Sequence, residues 1–123
     1  MEERPFDIRH RCYHFSKDIV NFISQVHYEK IHYSIFDQLI RSATSIGANV
    51  VEGKGGSTRR DFKNFYTIAL KSANETKYWI CLIRDTEITK ADKETLNRLI
   101  KEADEISKII ASIIINLNRN EVV

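Results

Sequence analysis

Apolar residues recur at steps of three and four along almost the whole chain, in four separate stretches. That spacing is the period of a helix with one buried face. The first stretch covers residues 7–26, with Ile8, Cys12, Phe15, Ile19, Phe22, Ile23 and Val26 on one stripe. Asp7 is placed to cap it. Residues 27–32 break the pattern and read as a connection. The second stretch covers residues 34–52 on Ile35, Leu39, Ala43, Ile46 and Val50, widened by Phe36, Ile40 and Val51. Gly53, Gly55 and Gly56 follow, and a glycine there predicts a left-handed helix cap.

The third stretch covers residues 59–85, with Ser57 or Thr58 as cap and Phe62, Phe65, Ala69, Ala73, Thr76, Ile80 and Ile83 as stripe. Tyr66, Leu70 and Trp79 flank that stripe. Asp61 stands three residues after Thr58, a shortened form of the capping box. The fourth covers residues 91–118, after a cap signal in Thr89 and Asp92. Leu96, Leu99, Ala103, Ile106, Ile109 or Ile110, Ile113 and Leu117 form its stripe. Near its end Ile109, Ile110, Ile113, Ile114 and Ile115 cover more than one side, which exceeds the needs of one bundle seam. Ile110, Ile113 and Ile114 are therefore expected at a subunit contact. Four amphipathic helices on short connections fold most simply as an all-α, antiparallel up-down-up-down four-helix bundle.

Composition supports one such domain over residues 1–123. The chain has 123 residues, 42% hydrophobic and 29% charged, which is enough to bury a core and too apolar for disorder. Four glycines and one proline are too few for an all-β fold with many tight turns. Cys12 and Cys81 make no disulfide framework, and with no signal peptide recognised they suggest a reducing cytoplasm. No apolar run reaches the roughly 20 residues of a membrane span, so no membrane partner is expected.

Three constellations carry candidate chemistry. Gln38, Arg41, Ser45, Asn49 and Glu52 share one face of the second helix, and Ser72 and Glu75 recur at matching spacing on the third. Arg41 with Glu75 is an expected charge-assisted pair, while Ser45, Asn49 and Ser72 are expected to satisfy one another. The set reads as a structural polar network, with a small-ligand pocket as the alternative.

The second constellation is the glycine turn, where Lys54, Arg59, Arg60 and Lys63 surround a helix N-terminus. Neither a preceding strand nor the spacing of a phosphate-binding loop is present, so nucleotide hydrolysis is not expected. Contact with nucleic-acid phosphates competes here with a solvated turn. The third is the basic start, with Arg4, Arg9, His10, Arg11, His14 and Lys17 around Tyr13, partly neutralised by Glu2, Glu3 and Asp7. Cations interleaved with an aromatic suit a phosphate backbone and a stacked base. A charged solvent face is the plain alternative. Glu29 and His32 have the spacing of a carboxylate-bridged metal motif, but such sites need two motifs and two more glutamates. Neither metal nor cofactor is expected, and no nucleophile–base arrangement points to an enzyme.

The run Arg41-Ser42-Ala43-Thr44-Ser45-Ile46-Gly47-Ala48-Asn49-Val50-Val51-Glu52-Gly53 closely resembles the signature of a bacterial four-helix bundle family. Its members include proteins encoded in intervening sequences of large-subunit ribosomal RNA genes. Gln38 upstream continues the likeness, as do Ser57, Phe62, Ile68-Ala69-Leu70, Ser72, Glu75 and Tyr78-Trp79 downstream. The likeness covers residues 6–117, most specifically in the second helix.

The resemblance implies an antiparallel bundle assembled as a homopentamer. It also implies a distant similarity to the accessory variability protein of diversity-generating retroelements. That protein is a basic pentameric barrel that binds nucleic acid and a reverse transcriptase. RNA or DNA, or such an enzyme, is therefore an expected partner, and no catalytic residue is implied. A protein-interaction module without nucleic-acid affinity is the alternative. Two departures stand out: Gly47 replaces a frequent proline, and a net charge of +2 is milder than that of the retroelement protein.

Overall fold

A computed structural model describes residues 7–56 and 58–122, with side chains to position 119. Arg4, in the basic start, and Ser57, the alternative cap, lie outside the described residues. Four α-helices follow in order: α1 (Ile8–Gln25), α2 (Tyr33–Lys54), α3 (Arg59–Thr86) and α4 (Lys93–Val122). A short 3-10 turn, Lys30–His32, occupies the first connection. Sequence neighbours pack side by side, and α4 closes the ring against α1, as an up-down-up-down bundle requires. The α2–α3 seam is the most extensive and the α1–α4 seam the thinnest.

The helix starts obey local chemistry. The Asp7 carboxylate accepts from the Arg9 backbone N–H at 2.9 Å and opens α1. Thr58 Oγ1 accepts from the Asp61 N–H at 3.0 Å and opens α3. At α4 the capping group is Asp92, whose Oδ1 accepts from the Thr95 N–H at 2.6 Å. Thr89 instead donates its hydroxyl to the His27 carbonyl, tying two connections together.

The end of α2 departs from expectation. No glycine among the described residues has a positive φ, so a left-handed glycine cap does not close this helix. The helix runs on to Lys54, and Gly53 is buried. A Cβ at Gly53 would stand 2.9 Å from Tyr66 Cδ1 and 3.1 Å from Phe65 Cβ. Glycine is needed there for close approach of α3. The one left-handed residue among those described is Glu87, which ends α3.

The core is a single layer between the helices, built on Phe15, Ile19, Phe36, Leu39, Ile46, Tyr66, Ile80, Ile83, Leu96, Ile106 and Ile110. Each such side chain contributes on the order of 1.5–3 kcal/mol by leaving water. Cys12 lies in this core, and burial pushes its thiol up to about 12, so it stays protonated and inert.

Two apolar expectations are corrected. Ile110 is wholly buried within the chain and has no surface to offer a subunit seam. The helical period places it on the α4 stripe that faces its own bundle, whereas Ile113 and Ile114 are half-buried beside that core. Val51 is exposed and does not widen the α2 core face.

Candidate nucleic-acid interface

Antiparallel alternation brings the start of α1, the end of α2 and the start of α3 to one end of the bundle. Lys54 closes α2 there, and Arg59 and Arg60 are the first two residues of α3. All three side chains are exposed, with no ion pair among the described residues. Lys63 sits one turn further along α3 and is half-buried.

The fold gives Arg59 and Arg60 no local reason for their charge. The N-terminal end of a helix carries partial positive charge, so cations in its first turn are disfavoured by about 0.3–1 kcal/mol each. Asp61 is the only acidic residue of that turn.

The arginines of α1 are placed differently. Arg9 donates from Nε to both Asp7 carboxylate oxygens at 3.0 Å, and its guanidinium holds that carboxyl well below the usual range. Arg11 crosses to α4, where Nε and Nη2 meet the Glu102 carboxylate at 2.9 and 2.7 Å and Nη2 also meets Glu105 at 2.6 Å. Its side chain is only 14% exposed. The Glu102 hydrogen bonds raise the Arg11 pKa further, against the cost of burial. Arg11 is thus a clamp across the thinnest seam of the bundle. Sequence placed it in the basic start correctly but could not reveal partners more than 90 residues away.

The polar stripe divides into an inner and an outer part. Inside, the Ser45 and Ser72 hydroxyls lie 2.9 Å apart, and Asn49 donates to Ser45 Oγ at 3.0 Å, as their spacing predicted. Thr76 and Ser42 extend this line of hydroxyls into the core at 3.0 Å. Outside, Gln38, Arg41, Glu52 and Glu75 are exposed. The expected pair between Arg41 and Glu75 does not form, because Asp37, one turn back on α2, holds Arg41 Nε at 2.8 Å. The inner groups are hydrogen-bonded to one another.

A groove of about 310 Å³ opens between α1 and α2, lined by Arg9, Tyr13, Ser16, Gly47, Ala48, Val51 and Glu52. Its floor is low because Gly47 and Ala48 carry almost no side chain. Gly47 lets α1 approach so closely that an added Cβ would meet Cys12 Cβ at 3.2 Å. Sequence flagged Gly47 and Tyr13 separately. Only the helix pairing joins them. Glu29 and His32 fall in the first connection, and no cluster of three metal-binding side chains occurs among the described residues. No helix among the described residues is long and apolar enough to cross a membrane.

Comparison with known proteins identifies both a family and similar solved structures. The family model described as 23S rRNA-intervening sequence protein matches residues 4–112. A solved structure from Bacteroides thetaiotaomicron, a protein of unknown function from the S23 ribosomal protein family, is similar at a TM-score of 0.80 and 36% identity. That similarity covers 88% of this chain and 98% of the other. Comparison with curated proteins gives no match.

Proposed function

This chain belongs to the 23S rRNA-intervening sequence protein family, and from that premise we propose that it is a non-enzymatic, self-associating bundle that binds nucleic acid. The contact surface is the cationic turn between α2 and α3. One observation carries the reading: Arg59 and Arg60 are exposed, unpaired among the described residues, and set against the dipole of their own helix. A phosphate backbone would relieve that arrangement, since it supplies the negative charge a helix N-terminus attracts. Lys54 extends the patch, and Lys63 stands behind it. Arg9 and Arg11 contribute little, because carboxylates of the chain already neutralise them.

The protein works by binding rather than by reaction. The hydroxyl and amide groups of the polar stripe are engaged with each other, which supports a structural role for that network. We place the protein in the cytoplasm, as a homo-oligomer, with the homopentamer as the expected count. Repetition of the turn around a ring would multiply its field. A nucleic-acid enzyme such as a reverse transcriptase is a partner compatible with this surface. The second reading, a protein-interaction module, is favoured by the exposed apolar side chains of Ile68 and Ile115.

The test is fluorescence anisotropy with labelled RNA and DNA on protein whose mass is set by light scattering. Arg59→Glu with Arg60→Glu is expected to weaken binding at least tenfold at low salt with the assembly intact. Unchanged binding would remove the turn as the contact surface. Absence of binding by the wild-type oligomer would leave the interaction module.

A further inference from the structure

The groove between α1 and α2 is open, and the bundle does not fill it. Tyr13 stands on its α1 wall at 66% exposure, and Val51 on its α2 wall at 54%. An exposed tyrosine facing an exposed valine across a glycine–alanine floor is a slot with two apolar sides. Its volume of about 310 Å³ is at the lower limit of the roughly 300–1,000 Å³ usual for ligand sites. That size suits one planar heterocycle better than an extended chain. Charge says where the slot leads. Glu52 lines it from α2 and Arg9, already paired with Asp7, lines it from α1, while the cationic turn of Lys54, Arg59 and Arg60 lies at the same end of the bundle. The Glu52 carboxylate repels a phosphate but accepts a hydrogen bond from a base amino group. The neutral part of a nucleotide therefore fits the slot, and its phosphates fit the turn beyond.

We propose that this groove takes one unpaired nucleobase, stacked on Tyr13, from a single-stranded nucleic acid whose phosphates run over Lys54, Arg59 and Arg60. The inference rests on the nucleic-acid reading above and adds its substrate class. It distinguishes single strands from duplexes for a physical reason. A contact made by cations alone favours the duplex, which has the higher charge density and the larger counterion release. A stacking slot favours the single strand, since a base in a duplex is already stacked on its neighbours.

The experiment compares a labelled single-stranded RNA of mixed sequence with its own duplex, using wild type, Tyr13→Phe and Tyr13→Ala. Tyr13 is exposed, so neither substitution removes a core side chain; melting curves and light scattering check fold and assembly in each variant. Wild type is expected to prefer the single strand. Tyr13→Ala is expected to lose about tenfold of that affinity while duplex binding stays constant, and Tyr13→Phe is expected to retain most of it. Three outcomes overturn the proposal: equal or tighter binding of the duplex by wild type, an unchanged single-strand affinity in Tyr13→Ala, or a change of oligomeric mass in Tyr13→Ala, which would make the groove a contact between copies. In each of those cases the turn remains a phosphate site. Loss of all binding by wild type, single strand and duplex alike, would instead reject the nucleic-acid reading itself.

Discussion

Arg11 and the pair Arg59–Arg60 occupy the first turns of two helices that start at the same end of the bundle. Their surroundings are opposite. Arg11 is half-buried and held by two glutamates of α4. Arg59 and Arg60 are exposed and held by no carboxylate among the described residues. Both sites look basic in the sequence, yet only the second leaves its charge exposed and held by no carboxylate among the described residues. Arg11 spends its charge on holding α1 to α4, across the thinnest seam of the bundle. The turn arginines stabilise nothing visible and sit where a helix disfavours them. A cation that the fold uses and a cation that the fold tolerates are different evidence about function.

The largest effect that would break this contrast concerns Arg11. Arg11→Ala removes a clamp of three charge-assisted hydrogen bonds. After allowance for the partial exposure of the glutamates, it should lower stability by about 2 kcal/mol. Urea unfolding checks this, and nucleic-acid affinity should not move. A loss of affinity without a loss of stability would make Arg11 a contact residue and erase the distinction.

The next effect has the opposite sign. Arg59→Glu with Arg60→Glu should raise stability by about 1 kcal/mol at low ionic strength, since the new charges suit the α3 dipole. A small rise in melting temperature, in the same variant that loses binding, would show stability and affinity moving apart. A fall would mean that both arginines hold the fold.

The smallest effect sharpens the contrast at Arg9. Asp7→Asn keeps a capping side chain at the start of α1 but removes the carboxylate that neutralises Arg9. If Arg9 is silent only because it is paired, its release should steepen the salt dependence of binding by about one phosphate contact, a few-fold in affinity at low salt. An unchanged slope, measured by anisotropy across a salt series, would place Arg9 outside the path of the nucleic acid.

Much of this architecture was legible in the chain because it depends on local rules. The helical period found all four helices and most of the core, and Asp7 and Thr58 cap where their chemistry says they should. The hydroxyl line of Ser45, Ser72 and Asn49 was legible too, since matching spacing on two neighbouring helices brings matching faces together. What escaped depends on distance and on competition. Arg41 had a nearer carboxylate in Asp37 than in Glu75, and a helix makes that one-turn pair available before any tertiary contact forms. Periodicity shows a wide apolar face at Ile110 but not which part of it the chain's own bundle covers. Gly53, next to other glycines, looks like a turn residue in the sequence. Its real constraint is the ring of Tyr66 on another helix. The clamp on Arg11 and the Tyr13 groove were illegible for the same reason: each is made by two helices, and spacing within one helix does not reveal them.

The most direct measurement is the affinity of the wild-type oligomer for a labelled single-stranded RNA across a salt series. If Lys54, Arg59 and Arg60 each neutralise a phosphate, the logarithm of the binding constant falls with the logarithm of salt at a slope of about −2 for each protomer engaged, at roughly 0.7 per contact. A slope near zero, or no binding at the lowest salt, would contradict a phosphate-binding turn.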